Sequence, residues 1–268
     1  MSTLQRVAGV RGQFYPKSCS EIEKMIKKWN TLLDEKLSDK KLLKEIPRAI
    51  IVPHAGYIYS GFTANFAHRL LANSKAKRVI VIGPSHHVYI DGMSGSKQDS
   101  YETPCGDLEI DANYLEKIKK SFSIEFSQEV HSVEHSTETQ MPFIKHYLPH
   151  AKIIEFIYGK ADYRKIAKLI NELLKDRDNV VVISTDLSHF YTLENAKKLD
   201  NICLNGILKK DISMLDKGCE ACGMIGIKAM LQVAKEAKLS VDLLDYRTSA
   251  DASGDESSVV GYLSAYLK

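Results

Sequence analysis

The stretch Val79–Val88, VIVIGPSHHV, constrains the fold of this chain more than any other. Four β-branched apolar residues, Val79 to Ile82, predict a strand buried on both faces. Gly83-Pro84 stops it, because proline has no N–H to give a ladder and glycine accepts a sharp turn. Ser85, His86 and His87 stand directly beyond the stop. Related patterns occur twice more. Ala49–Val52 runs into Pro53 and His54, and Asn179–Ile183 runs into Ser184-Thr185-Asp186-Leu187-Ser188-His189. In open α/β sheets ligands bind outside the carboxyl ends of the strands. Three such ends predict one crevice lined by imidazoles and a carboxylate.

Helical patterns separate the strands. Ser18 or Ser20 caps a helix to about Leu37, with Ile22, Met25, Ile26, Trp29, Leu32 and Leu33 at helical spacing. Further helices are predicted over Phe62–Leu71, Asp111–Lys120, Tyr163–Lys175, Leu193–Leu208 and Gly223–Ala237, and strands over Lys152–Ile157, Val241–Tyr246 and Ser258–Leu267. Pro142 predicts a kink or a late helix start. Residues 1–16 are read as an irregular arm, with Phe14 and Tyr15 packed. Residues 89–110 are read as an excursion or a short hairpin. The alternation predicts α/β class: one three-layer domain over residues 1–268, its mainly parallel or mixed sheet covered by helices.

Composition narrows the function classes. Lys+Arg 37 against Asp+Glu 34 leaves +3, too little to point to nucleic acid or an anionic membrane. No apolar run reaches the ~18 residues of a membrane span, and the first residues lack an export pattern. Five cysteines, an odd and sparse set, fit free thiols in a reducing cytosol, so a cytoplasmic location is expected. Cys219-x-x-Cys222 is a lone pair of thiols, expected to be dispensable for metal binding, since a tetrahedral thiolate site needs a second pair.

The chemistry then rests on residues that follow strands. His54, His86 with His87, Asp186 with His189, and Asp251 with Asp255 leave four strand ends, and His135 and Glu138 join them from a loop-helix. Two or three imidazoles with a carboxylate make a first-row metal site. Glu138 also suits the first turn of a helix for dipole reasons alone. His68 reads as a surface or satisfied core residue, and His131, His146 and His150 as surface residues. A Ser–His hydrolase is disfavoured, because neither Ser85-His86 nor Ser188-His189 sits in a nucleophile elbow.

Several motifs together resemble one family. Arg6–Pro16 fits RxxAGxxGxFYP. Pro53–Tyr59 reads PHAGYIY, Gly83–His87 GPSHH, Glu134–Glu138 EHSTE, Ser184–His189 STDLSH and Asp255–Tyr262 DESSVVGY. In order and over nearly the whole chain, they resemble the Memo family, also called AmmeMemoRadiSam system protein B. The resemblance implies a fold similar to class III extradiol dioxygenases, which hold non-haem Fe(II) with two histidines and a carboxylate. It implies non-haem Fe(II) or copper here, with zinc a further candidate. His54 and His86 correspond to the family's metal histidines, and Asp186 and His189 to further pocket residues.

The vertebrate branch is taken to carry a cysteine ligand in the loop before the last strand. This chain has none there, which leaves Asp251, Asp255 or Glu138 as third ligand, Asp251 first. His189, Asp186 and His135 are the candidate catalytic residues. His87, Tyr57, Glu138 and Asp255 are the candidate substrate pocket. A small molecule or peptide is the expected ligand, and a radical-SAM protein and an AMMECR-type protein are the partners the resemblance implies. Two functions remain open: a metal-dependent, dioxygenase-like redox enzyme, or a non-catalytic module that binds a peptide or partner protein in the same pocket.

Overall fold

The computed structural model describes residues 4–122 and 124–268; residues 1–3 of the N-terminal arm lie outside the described residues. The three β-branched runs become β1 (Ala49–Val52), β2 (Arg78–Pro84) and β5 (Asn179–Ser184). With them stand β3 (Met93–Gly95), β4 (Lys152–Tyr158), β6 (His189–Tyr191), β7 (Val241–Thr248) and β8 (Val259–Leu267). The sheet order is β7-β8-β1-β5-β2-β4-β3, with β6 paired to β8 off this path. β1, β5, β2 and β4 are mutually parallel, β8 and β3 run antiparallel to them, and β7 pairs antiparallel with β8. The sheet is therefore mixed, with a parallel centre.

Alternation along those strands explains why both faces are covered. Ile50, Val52, Val79, Val81, Val180 and Val182 face one side and pack under α2 (Tyr57–Leu71) and α3 (Met141–Tyr147). Outside them α1 (Cys19–Lys36) sets Ile22, Ile26 and Trp29 against Tyr57 and Phe143. Ala49, Ile51, Ile80, Ile82, Val181 and Ile183 face the other side. There they meet α4 (Tyr163–Lys175), α5 (Leu193–Leu208) and α6 (Met224–Glu236). Full burial of such side chains stabilises by roughly 1.5–3 kcal/mol each. Helix ends follow local chemistry: Ser18 accepts from the Glu21 N–H, and Asp162 from the Arg164 N–H. Pro142 sits in the first turn of α3, so the late start is realised.

Three expectations are corrected. The arm is not irregular throughout, whereas the 89–110 connection takes the hairpin alternative, Ser100–Tyr101 pairing antiparallel with Leu108–Glu109. Gln5–Arg6, Ser100–Tyr101 and Leu108–Glu109 form a small three-stranded sheet, and Met93–Gly95 closes the edge of the large one. His131 is fully buried, with Nδ1 2.7 Å from Glu155 and Nε2 3.1 Å from Ser94 Oγ. The cysteines are not all free thiols: Cys19 is bonded to Cys105 and Cys203 to Cys219, leaving Cys222 free. The partners lie 86 and 16 residues apart, distances that only the folded chain closes. The ground for a reducing cytosol is thereby removed. No helix among the described residues is long and apolar enough to cross a membrane.

Candidate metal centre

β5 lies between β1 and β2, so the three strands deliver their carboxyl ends to one edge. Pro53 ends β1 and His54 follows, fully buried; its ring stands perpendicular to that of His86, 5.1 Å between centroids. The two histidines expected to work together are thus neighbours. His135 packs against both, at 5.4 Å from His54 and 4.5 Å from His86. Gly83 permits this approach, since a Cβ there would meet Ser136 Oγ at 2.6 Å.

Hydrogen bonds fix which nitrogen of each ring is free. Gln140 Nε2 donates to the Pro53 carbonyl and to Ser184 Oγ, each at 2.9 Å. Ser184 uses its one proton on the Ser136 carbonyl, 2.5 Å away. Towards His54 Nδ1, 3.0 Å away, Ser184 can then only accept. His54 therefore carries its proton on Nδ1 and presents a bare Nε2. The chain extends further back, where buried His68 donates from Nε2 to Gln140 Oε1 at 2.9 Å. Glu134 does the same for His86. Its carboxylate accepts from the His86 N–H at 2.6 Å and from Nδ1 at 2.8 Å, leaving Nε2 bare.

Cys222 completes the set. Its Sγ lies 3.3 Å from His54 Nε2, and His54, His86 and Cys222 offer ligand atoms within 4.8 Å of one another. Since His54 Nε2 has no proton, the thiol donates to it. Asp186 holds the two loops together: Oδ1 accepts the His54 N–H at 2.8 Å, and its own N–H donates to Cys222 Sγ at 3.2 Å. Gly223 is required beside it, because a Cβ would meet Thr185 Cβ at 2.4 Å. The sequence pattern predicts both thiols of the CxxC to be dispensable for metal binding, yet the fold sets Cys222 among the candidate donors. One thiol is tied to Cys203, and the other enters the histidine cluster alone.

The electrostatics keep the imidazoles in the neutral form a metal takes, while burial opposes ionisation of the Cys222 thiol until an ion arrives. Burial, with His86, His135 and His189 nearby, holds His54 well below the usual imidazole range, so it is neutral. Burial likewise brings His135 down to about 4 and lowers His189. Burial pushes Glu134 up, but the hydrogen bonds from His86 and Ser136 prevail and hold it at about 2. Burial raises the Cys222 thiol to about 12 and the Asp186 carboxyl to about 7.

Other expected residues go elsewhere. Asp251 is exposed in a short helical turn, Ala250–Ser253, and accepts from the Thr248 N–H at 2.8 Å. Asp255 is exposed and binds Ser257. Glu138 is buried, but its oxygens are taken by Arg6, Tyr15 and the N–H groups of Gly9 and Val10. It anchors the N-terminal arm. None of the three joins His54 and His86 in a group of metal donors among the described residues. Tyr57 is buried, stacks on Phe143 and donates to the Thr139 carbonyl, so it is core. His87 reaches the site's outer edge, with Nε2 3.4 Å from His135 Nδ1.

Reading from the sequence did not single out Glu134, Ser184, Gln140 and Cys222, which the fold brings to this histidine cluster. Glu134 opens the EHSTE motif and Ser184 the STDLSH motif, so the signal for those two lay in the matched residues.

Comparison with known proteins agrees with these motifs. A family model described as Memo-like protein matches residues 6–266. A MEMO1 family protein of Aquifex aeolicus is 32% identical, covering 96% of this chain and 97% of its own length. One from Sulfurisphaera tokodaii is 32% identical over 97% and 98%, and one from Methanococcoides burtonii 33% identical over 97% and 98%.

Proposed function

The chain belongs to the Memo family, and on that premise we propose that it is a metal-dependent redox protein centred on His54, His86 and Cys222. The single observation that carries this reading is the 3.3 Å approach of Cys222 Sγ to His54 Nε2, beside a second histidine whose Nδ1 is already committed to Glu134. Two imidazoles and a thiol fit a borderline-soft first-row ion, iron or copper foremost and zinc after them. Ser184 and Glu134 supply the hydrogen bonds from behind that such ligands normally need. The ion, when bound, would supply electron transfer and open positions for a substrate.

The remaining groups handle protons. Asp186, held near pH 7 by burial, exchanges a proton at neutral pH, and its Oδ2 lies 3.8 Å from His54 Nε2. His135 and His189 are neutral there and can accept protons from a substrate that enters from solvent. The similarity to extradiol dioxygenases suggests an oxidisable aromatic substrate. The test is anaerobic loading with iron or copper, followed by O2 uptake with a panel of catechol-like compounds. Uptake that vanishes in His54→Ala and Cys222→Ser supports the reading; an absence of metal binding in the parent overturns it.

A binding role has one observation in its favour. Ile58, Tyr59, Tyr89 and Phe190 are exposed, and each lies within five residues of a site histidine. Phe190 is held in left-handed backbone, φ 64°. A peptide or partner protein covering that rim without turnover would leave metal binding intact and O2 uptake absent.

A further inference from the structure

An open cavity of about 750 Å3 lies beside β3, the outermost strand of the large sheet, and none of the site histidines lines it. Its floor is apolar: Met93, Ile124 and Ile166 are buried and Phe122 is half-buried. Its rim is basic, made by Lys119, Lys120, Lys160, Lys165 and Lys168. Lys119 and Lys120 end the helix Ala112–Lys119. Lys165 and Lys168 are three residues apart on α4 and so share one face of it. The turn that carries Lys160 is clamped to its neighbour. The Gly92 N–H donates to the Lys160 carbonyl at 2.8 Å, and the Lys160 N–H to the Ile90 carbonyl at 2.9 Å. This wall of the cavity is therefore in place before any ligand arrives.

The five ammoniums lack counter-charges. Lysines elsewhere, such as Lys77, Lys152 and Lys228, are held in salt bridges. None of the five is in one among the described residues. Three carboxylates also line the cavity, Asp91, Glu125 and Asp162, so five positive charges against three leave an excess of two. Asp162 is already engaged, capping α4 and lying 3.5 Å from the Arg164 guanidinium. Like charges held around one space repel, and an anion placed among them relieves that repulsion. From this geometry we infer a binding site for a small organic polyphosphate, a nucleotide in the first instance. The lysines take the phosphates, as compact point charges do. The apolar floor takes the flat body, and the volume is that of a small-molecule pocket. The inference goes beyond the metal centre and does not rest on it.

The full chain, stripped of metal so that no ion can hold the phosphates, is titrated with ATP by calorimetry in a phosphate-free buffer. Saturation at one equivalent is expected, with affinity falling as salt is added. Lys160→Glu combined with Lys165→Glu changes two exposed rim residues and is expected to weaken binding by at least about tenfold. Lys209→Glu combined with Lys217→Glu makes the same change of charge at exposed residues outside the cavity, and is expected to weaken it by less than about twofold. Thermal unfolding checks that both double variants keep the fold. Inorganic tripolyphosphate has the charges without the flat body, and is expected to bind at least about tenfold more weakly than ATP. A titration of the parent that does not saturate overturns the site. So does equal weakening by the two double variants, which would assign binding to overall charge. Tripolyphosphate binding as tightly as ATP overturns the role of the floor, and with it the nucleotide.

Discussion

Ser184 Oγ stands 3.0 Å from His54 Nδ1 with its own proton turned to the Ser136 carbonyl. A serine at the end of the central strand thus decides which nitrogen of a buried histidine is available. Ser184→Ala removes the acceptor and leaves both tautomers of His54 open. Metal affinity should fall about 10–100-fold, the usual effect of losing a ligand's outer partner. Stability should change by no more than about 1–3 kcal/mol. Anaerobic competition titration against a chelator, with urea unfolding of the metal-free protein, reads both numbers. Unchanged affinity would remove Ser184 from the centre.

The two cysteines of the CxxC should separate cleanly. Cys222→Ser replaces the sulfur donor and should lose iron or copper while the metal-free fold persists. Cys219→Ser opens the bond to Cys203. Closing a loop of that size is worth about 3 kcal/mol in the chain-entropy account. The cost should appear in thermal unfolding, with metal still bound. Equal metal loss in both variants would contradict this division.

Glu138 offers a contrast. It sits in the motif beside the centre, yet it pairs with buried Arg6 and holds the arm. Glu138→Ala should cost about 3–5 kcal/mol, the penalty for a buried charge left without its partner. Whatever folds should bind metal as the parent does. A selective loss of metal with intact stability would return Glu138 to the ligand set.

The pH dependence of stability has a worked sign at His68. Burial holds this imidazole at about 4, against an ordinary value near 6.5. Above pH 6.5 both folded and unfolded chains are neutral there, and the contribution to stability is complete. As pH falls from 6.5 towards 4, only the unfolded chain takes the proton, so stability declines, by about 1.4 kcal/mol per pH unit at most. His68 stacks on Phe143 at 5.0 Å, so His68→Phe keeps the packing. Its unfolding free energy should fall less steeply than the parent's over that range. Parallel slopes would assign the effect to other groups.

The strand ends were legible because their signal is local. A β-branched run, a breaker and a histidine lie within ten residues at His54 and at His86. The sheet's parallel centre then brings them together without further information. What escaped depends on side chains far apart in sequence. Cys222 reaches His54 across 168 residues, and nothing around the CxxC says that Cys219 is already bonded to Cys203. The preference for Asp251 as third ligand does not fit the geometry, for a physical reason. The loop of small residues does not reach inward but folds into a turn ended by Gly254, φ 75°, with the carboxylate bound to its own backbone. His131 looked like a surface residue because its partner, Glu155, faces it from the middle of β4.

The order of the chain sets when the centre can exist. His54 and His86 leave the ribosome early, whereas Cys222 arrives late. The parallel pairing of β1 and β2 with β5 must wait for residues 179–184. Pairings of that sequence separation are slow to form. A nascent chain therefore holds two histidines and no complete donor set through most of its synthesis. In the proposed centre, ion capture would fall at the close of folding, and a chain that had taken its ion would also have reached its native topology.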